Sequence, residues 1–300
     1  MDQAQSLRDL MNKQQGALQT SLPGSPPPAT TSRVITVTSG KGGVGKTNFT
    51  VNLAIWLARQ KKRVVIIDAD FGLANIEVLF NVWPKFSFAD VVRGTKRVPD
   101  VLTEGPEGIK FISGGTGFRD LANITEKQMA EVLNSFGYLD DISDIILIDT
   151  GAGISKTVTT FVKASQETIV VTTPEPTSIS DSYTLIKAVF EGNEYTPQLG
   201  LVLNKVENER EAVAVYERLK SVCEKFLKVT PKHLGSLAND ADLVKAVKEQ
   251  KPAIISRPGS LYSKGIELLG KKIMQPDLKV EKVPERTGIL AFMKRIVSRG

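Results

Sequence analysis

Between Gly40 and Thr47 the chain reads Gly-Lys-Gly-Gly-Val-Gly-Lys-Thr. The spacing fits the phosphate-binding loop pattern G-x-x-x-x-G-K-[ST] and adds a second lysine, Lys41, inside the loop. In such a loop the backbone amides point inward at phosphate oxygens, and side chains in place of the glycines would block that approach. The stretch Gly40, Lys41, Gly42, Gly43, Val44, Gly45, Lys46, Thr47 and Asn48 is therefore predicted to hold a nucleotide. Lys46 has the reach for the β- and γ-phosphates, and Thr47 carries a hydroxyl suited to Mg²⁺.

Phosphate chemistry also needs carboxylates. Asp144-Ile145-Ile146-Leu147-Ile148-Asp149 is an apolar run ending in an acid, the placement of a Mg²⁺-linked aspartate. Thr150-Gly151-Ala152-Gly153 follows, and its amides, Gly151's included, could sense a γ-phosphate. A second apolar run ends in Asp68-Ala69-Asp70, and either carboxylate could orient a water for in-line attack. The competing reading for Asp70 and Asp149 is simple helix capping, which aspartate favours.

These groups need strands that end beside the loop. Candidate strands are Val34–Thr38, Arg63–Ile67, Ile109–Ile112, Asp144–Ile148, Thr168–Thr173, Gly200–Asn204 and His233–Leu237, alternating with helices such as Asn48–Arg59, Thr125–Phe136 and Glu209–Phe226. Continuous apolar strands suit a parallel sheet covered on both sides. The predicted fold is α/β, an open, mostly parallel sheet with helices on both faces, its ligands at the carboxyl ends of the strands.

Composition narrows the functional class. One cysteine, Cys223, and one histidine, His233, leave no disulfide framework, cysteine cluster or His-rich metal site. No apolar run approaches the roughly 20 residues of a bilayer span, and the start lacks a signal-peptide pattern, so a cytosolic chain is expected. Of the net charge of +6, residues 279–300 hold +4, leaving +2 for the rest. Direct DNA binding is not expected of such a body. Five segments follow: an arm at 1–21, a Pro-rich linker at 22–32, an ATPase domain at 33–278, a connector at 279–287 and a helix at 288–300.

Three motifs together resemble the deviant Walker A ATPases of the MinD/ParA family: Lys41–Thr47, Asp68-Ala69-Asp70-Phe71-Gly72-Leu73-Ala74-Asn75 and Ile148–Gly153. The resemblance implies ATP and Mg²⁺ as cofactors and a homodimer that ATP promotes. It makes Lys41 the signature lysine that reaches the partner's phosphates, a cation placed where transition-state charge develops. By the same resemblance Lys41, Lys46 and Asp70 are catalytic, Thr47 and Asp149 serve Mg²⁺, and Asn204 reads adenine. Leu237, Ala238 and Asn239 match the segment lining the base, without the family's usual proline. Asn48 stands where Thr or Ser is common.

The two ends point to a subgroup. In residues 288–300, Ile289, Leu290, Phe292, Met293, Ile296 and Val297 fall on one arc of about 160°, opposite Lys294, Arg295, Ser298 and Arg299. At about 20 Å this helix is too short to span a bilayer. It is expected to lie in the plane of an anionic membrane, peripheral on its inner face. A helix docked on its own body is the alternative, and both can hold in turn if the monomer masks the helix. MinD-type proteins carry a similar tail. Asp2, Gln3, Ala4, Leu7 and Arg8 fit the D-Q-A-x-x-L-R motif and resemble the arm of the FlhG (FleN, YlxH) family of flagellar number and placement regulators. That resemblance implies stimulation of the GTPase FlhF and contacts with flagellar switch (C-ring) proteins. A MinD-like division-site regulator and a nucleotide-bound scaffold without turnover are the other readings.

Overall fold

The computed structural model describes residues 31–70, 75–115, 117, 125–191, 197–275 and 287–299. The arm residues Asp2, Gln3, Ala4, Leu7 and Arg8, most of the linker and the connector, and Phe71–Ala74 lie outside the described residues. Thr31–Gly300 forms one compact unit.

Eight strands make one sheet in the order β3-β4-β2-β5-β1-β6-β7-β8. In chain order they are Arg33–Ser39, Val64–Ala69, Thr103–Glu104, Lys110–Ile112, Ile145–Ala152, Glu167–Thr172, Gln198–Val206 and Lys232–Ala238. All neighbours are parallel except the two-residue β3, which pairs antiparallel with β4. The seven strands expected from apolar runs are present, with ends shifted by a few residues. Only β3 lacks a sequence signal, being too short to show a period.

Alternate residues of each central strand feed opposite layers. Ile35, Ile66 and Leu147 face one apolar cluster, whereas Val34, Val65, Ile67, Ile146 and Ile148 face the other. The first layer is built on α1 (Lys46–Arg59) and on the long helix Leu261–Met274, where Gly270 lies against the Trp56 ring.

The short helix α2 (Asn75–Phe80) adds Ile76, Leu79 and Phe80 to the first layer, and along the second run α3 (Phe88–Val92), α4 (Val98–Val101), α5 (Glu126–Ile142) and α6 (Lys156–Ala164). All four, α3 to α6, share the second layer's apolar cluster. Thr125 starts α5 by accepting the Gln128 amide, a capping box readable as Thr-x-x-Gln.

The tail helix Gly288–Arg299 belongs to this second layer. Ile289, Phe292, Met293 and Ile296 are buried, and Phe292 is only 1 % exposed. The Phe292 and Phe161 ring centroids lie 5.8 Å apart. Leu290 touches Gly137 of α5, Arg295 Nε donates to the Ala164 carbonyl at 2.7 Å, and Lys294 faces solvent. The Val297 side chain lies outside the described residues. The apolar arc that suits a membrane is thus docked on the body, as in the alternative reading of the helix.

Candidate active site

Gly45 sets the loop's exit. Its φ of 94° is left-handed, and no side chain caps the helix that begins at Lys46. The first-turn amides of that helix are therefore left to an anion, which the helix dipole also favours. A Cβ at Gly42 or Gly43 would meet no atom within 4 Å, so the loop's outer side is an open cradle. Gly40 is different: a Cβ there would lie 2.2 Å from the Asp181 backbone carbonyl carbon.

Asp149 sits in the C-terminal half of β5 and is 0 % exposed. Its Oδ1 accepts from Lys46 Nζ at 3.2 Å and from Thr50 Oγ1 at 3.1 Å; its Oδ2 accepts from Thr47 Oγ1 at 2.6 Å. This is bonding at the heart of the site, not helix capping. The hydroxyl and carboxylate are hard oxygen donors in contact, a pairing that fits Mg²⁺ held by few protein ligands plus phosphate.

Asp68 lies opposite Asp149 in the β2–β5 register and is buried. Burial raises its carboxyl well above the ordinary range, and Asp149 pushes the same way. Asp68 Oδ1 accepts the Asp70 amide at 3.0 Å, so Asp68 fixes the backbone that presents Asp70. Asp70 is half-buried; desolvation raises its carboxyl, Lys46 opposes this and Asp149 adds to it. A Cβ on Gly151 would lie 3.3 Å from Asp70 Oδ1, which places the Gly151 backbone beside the acid.

The other expected contacts divide. Asn204 is fully buried, and its Nδ2 donates to the Val44 carbonyl at 2.7 Å while its Oδ1 accepts the Lys205 amide. Its amide braces the phosphate loop here, and reading a base requires that bond to be exchanged. Leu237 is buried in the first layer's core, so its side chain packs and does not line an open site. Ala238 is half-buried, and Asn239 donates to Glu207 Oε1 at 2.9 Å. Asn48 gives its carbonyl to Asn52.

Several participants had no sequence signal. Lys41 Nζ is held at 2.7 Å by Glu175 and at 2.9 Å by Thr177, both over 130 residues away. Lys205 Nζ donates to the Gly43 carbonyl at 2.8 Å. Glu77 of α2 is buried with Oε2 unpartnered, and its charge bears on Asp68. It stands seven residues after Asp70, a spacing that carries no motif. Cys223 is buried and its thiol is pushed up to about 11, which suits packing and not metal binding.

A phosphate loop between β1 and a helix, with acids toward the carboxyl ends of the neighbouring parallel strands, defines a P-loop NTPase. The family model that matches residues 30–274 is "ParA: NUBPL iron-transfer P-loop NTPase". Antiactivator FleN of Pseudomonas aeruginosa is 36 % identical over 80 % of this chain and 86 % of its own length. Flagellum site-determining protein YlxH of Helicobacter pylori is 34 % identical over 88 % of this chain and 90 % of its own. The septum site-determining protein MinD of Pyrococcus horikoshii, solved with Mg-ADP, superposes with a TM-score of 0.64 at 22 % identity, over 81 % of this chain and 96 % of that one. The chain belongs to the MinD/ParA family of P-loop ATPases, in the branch that contains FleN and YlxH.

Proposed function

We propose that the protein is a slow ATP-hydrolysing switch that dimerises face to face with ATP, binds the inner face of the membrane through its tail, and regulates flagellar number or placement. One observation carries this reading: Lys41 lies on the loop yet is held by Glu175 and Thr177, outward of the Lys46–Asp149 centre. A loop lysine that does not serve its own site is suited to a partner's.

The chemistry follows from the residues. Loop amides and Lys46 bind and orient the phosphates, and Thr47 with Asp149 holds Mg²⁺, which when bound draws charge off the phosphate oxygens. Asp70 orients the attacking water and accepts its proton as the new bond forms. Lys41 of the second copy supplies the last positive charge, so turnover waits for the dimer.

The docked tail fits the same cycle. With Phe292 and Met293 buried, a monomer offers the membrane little apolar surface. Release in the dimer presents two helices at once, which strengthens binding through effective concentration. Among the described residues no helix is long and apolar enough to cross a membrane. The arm is assigned to FlhF, with Gln3 the residue to test, and flagellar switch proteins are the further partners.

Size exclusion of Asp70→Ala with ATP and with ADP tests the core of this reading. An ATP-specific dimer with no phosphate release is expected. A monomer in both nucleotides, or wild-type phosphate release, overturns it. Deleting residues 1–20 is expected to abolish stimulation of FlhF GTPase activity, and unchanged stimulation would remove the arm's assignment.

A further inference from the structure

The second layer carries a surface that the nucleotide site does not use. Trp83 follows α2 and is 66 % exposed, the largest side chain left in solvent. Exposure alternates from Trp83 to Phe86, so Trp83 and Lys85 face outward together while Phe86 turns in. Lys96 Nζ stands 4.1 Å and Lys85 Nζ 5.4 Å from the Phe86 ring centre. Arg93 and Arg97 extend from the same segment with side chains 59 % and 81 % exposed.

The charge balance is local. Residues 83–100 hold four basic and two acidic residues, a net +2, which equals the excess of all residues up to 278. Asp90 accepts the Ser87 amide and lies 3.8 Å from Arg93, and Asp100 accepts the Arg97 amide and lies 3.8 Å from the Arg97 side chain. These surface pairs are long and weak, and Lys85 and Lys96 face the Phe86 ring. Behind this rim a cleft of about 470 Å³ opens between α3–α4 and α5, with Val92, Pro99, Val132 and Tyr138 in its walls.

We propose that this aromatic and basic surface is a second membrane contact, which seats Trp83 at the headgroup level of an anionic bilayer. Tryptophan prefers that level because its ring is apolar and its N–H polar. Clustered lysine and arginine add attraction to anionic lipid. Continuity with the tail favours lipid over an acidic protein: Phe86 packs against the apolar cluster that holds Phe292 and Ile296. The inference rests on the peripheral-membrane reading above.

The chain has two tryptophans, and Trp56 is only 6 % exposed, so emission changes report Trp83. The full chain with ATP and Mg²⁺ is mixed with vesicles of phosphatidylglycerol in phosphatidylcholine, with Trp83→Phe as background. The expected result is sedimentation with the vesicles, a blue shift of Trp83 emission and its quenching by brominated acyl chains. Arg93→Ala and Arg97→Ala, both at exposed positions, are each expected to weaken vesicle affinity about fivefold. Sedimentation with unchanged Trp83 emission overturns this inference alone, and an acidic protein then becomes the better partner for the patch. Failure of the wild type to sediment at all overturns the membrane reading and this inference with it.

Discussion

Lys41 is tied to Glu175, with Nζ 2.7 Å from Oε2. That hydrogen bond holds the Glu175 carboxyl below its usual range. To serve a partner's phosphates Lys41 must leave it. Glu175→Ala is therefore expected to raise ATP-dependent dimer formation and turnover, by a few fold at most because the pair is exposed and such pairs are weak. Lys41→Ala is expected to abolish turnover while nucleotide binding survives. Phosphate release and sedimentation velocity check both. Turnover of Glu175→Ala falling to the Lys41→Ala level would mean that Glu175 assists the lysine and does not restrain it.

Asp140 fastens the root of the tail. Its Oδ1 accepts the Ile289 amide at 3.1 Å and the Ser32 amide at 3.0 Å. Hydrogen bonds to a charged group contribute about 1.5–3 kcal/mol each. Asp140→Ala is expected to raise the undocked fraction of the tail about tenfold, seen as faster amide exchange over Ile289–Ile296 and stronger sedimentation with phosphatidylglycerol vesicles. Wild-type exchange in this variant would show that apolar packing alone holds the helix.

The apolar seam makes a separate prediction. Phe292→Glu would place a carboxylate in a site that is 1 % exposed and beside Phe161. Burial of an unpaired charge is costly enough to expel the helix. The expected product is a folded body with a detached tail that binds ATP but not vesicles. Undiminished sedimentation would refute a membrane role for this face.

These contrasts show what a sequence can and cannot carry. The loop at Gly40–Thr47 and the acid at Asp149 were legible because their chemistry demands fixed residue types at fixed spacing, directly after β1 and in the C-terminal half of β5. The tail's arc was legible as amphipathic, but the same 3.6-residue period serves a bilayer and a protein groove. Its docking depends on Gly137, Phe161 and Asp140, which no local pattern connects to it. Glu175 was invisible for the same reason, since only the fold brings β1 and the strand β6 side by side. Asn204 was singled out by the family resemblance as an adenine reader, and its bond to Val44 is a tertiary fact that no local pattern carries.

His233 predicts a pH dependence. Its ring stacks on Tyr216 at 4.6 Å, and burial lowers its pKa from the ordinary 6.5, with Lys272 adding to the effect and Glu209 and Glu217 opposing it. The folded value lies below the unfolded one, so the unfolded chain takes up the proton first. This contribution is complete above the unfolded pKa and is lost as pH falls through 6.5 toward the folded value. Asp68 and Asp70 have values raised above 3.8 and work in the opposite direction, gaining stability as pH falls. The comparison of melting temperature between wild type and His233→Gln isolates the histidine: the gap should narrow or reverse in favour of the variant from pH 8 to pH 5. A gap independent of pH would mean that the ring titrates alike in both states.

Gly45 tests whether the loop's shape or its chemistry limits binding. A side chain there meets two obstacles: φ is 94°, and a Cβ would lie 2.3 Å from Asn204 Nδ2. The backbone term costs about 1–2 kcal/mol. The clash displaces Asn204 from the Val44 carbonyl and loosens the brace on the loop. Gly45→Ala is expected to lose binding of a fluorescent ATP analogue and to lower the melting temperature. Adding Asn204→Ala removes the clash but leaves the backbone strain, so the double variant should recover part of the stability and little of the binding. Recovery of both would locate the whole defect in the side-chain clash. Wild-type binding by Gly45→Ala itself would contradict the left-handed exit on which the amide cradle depends.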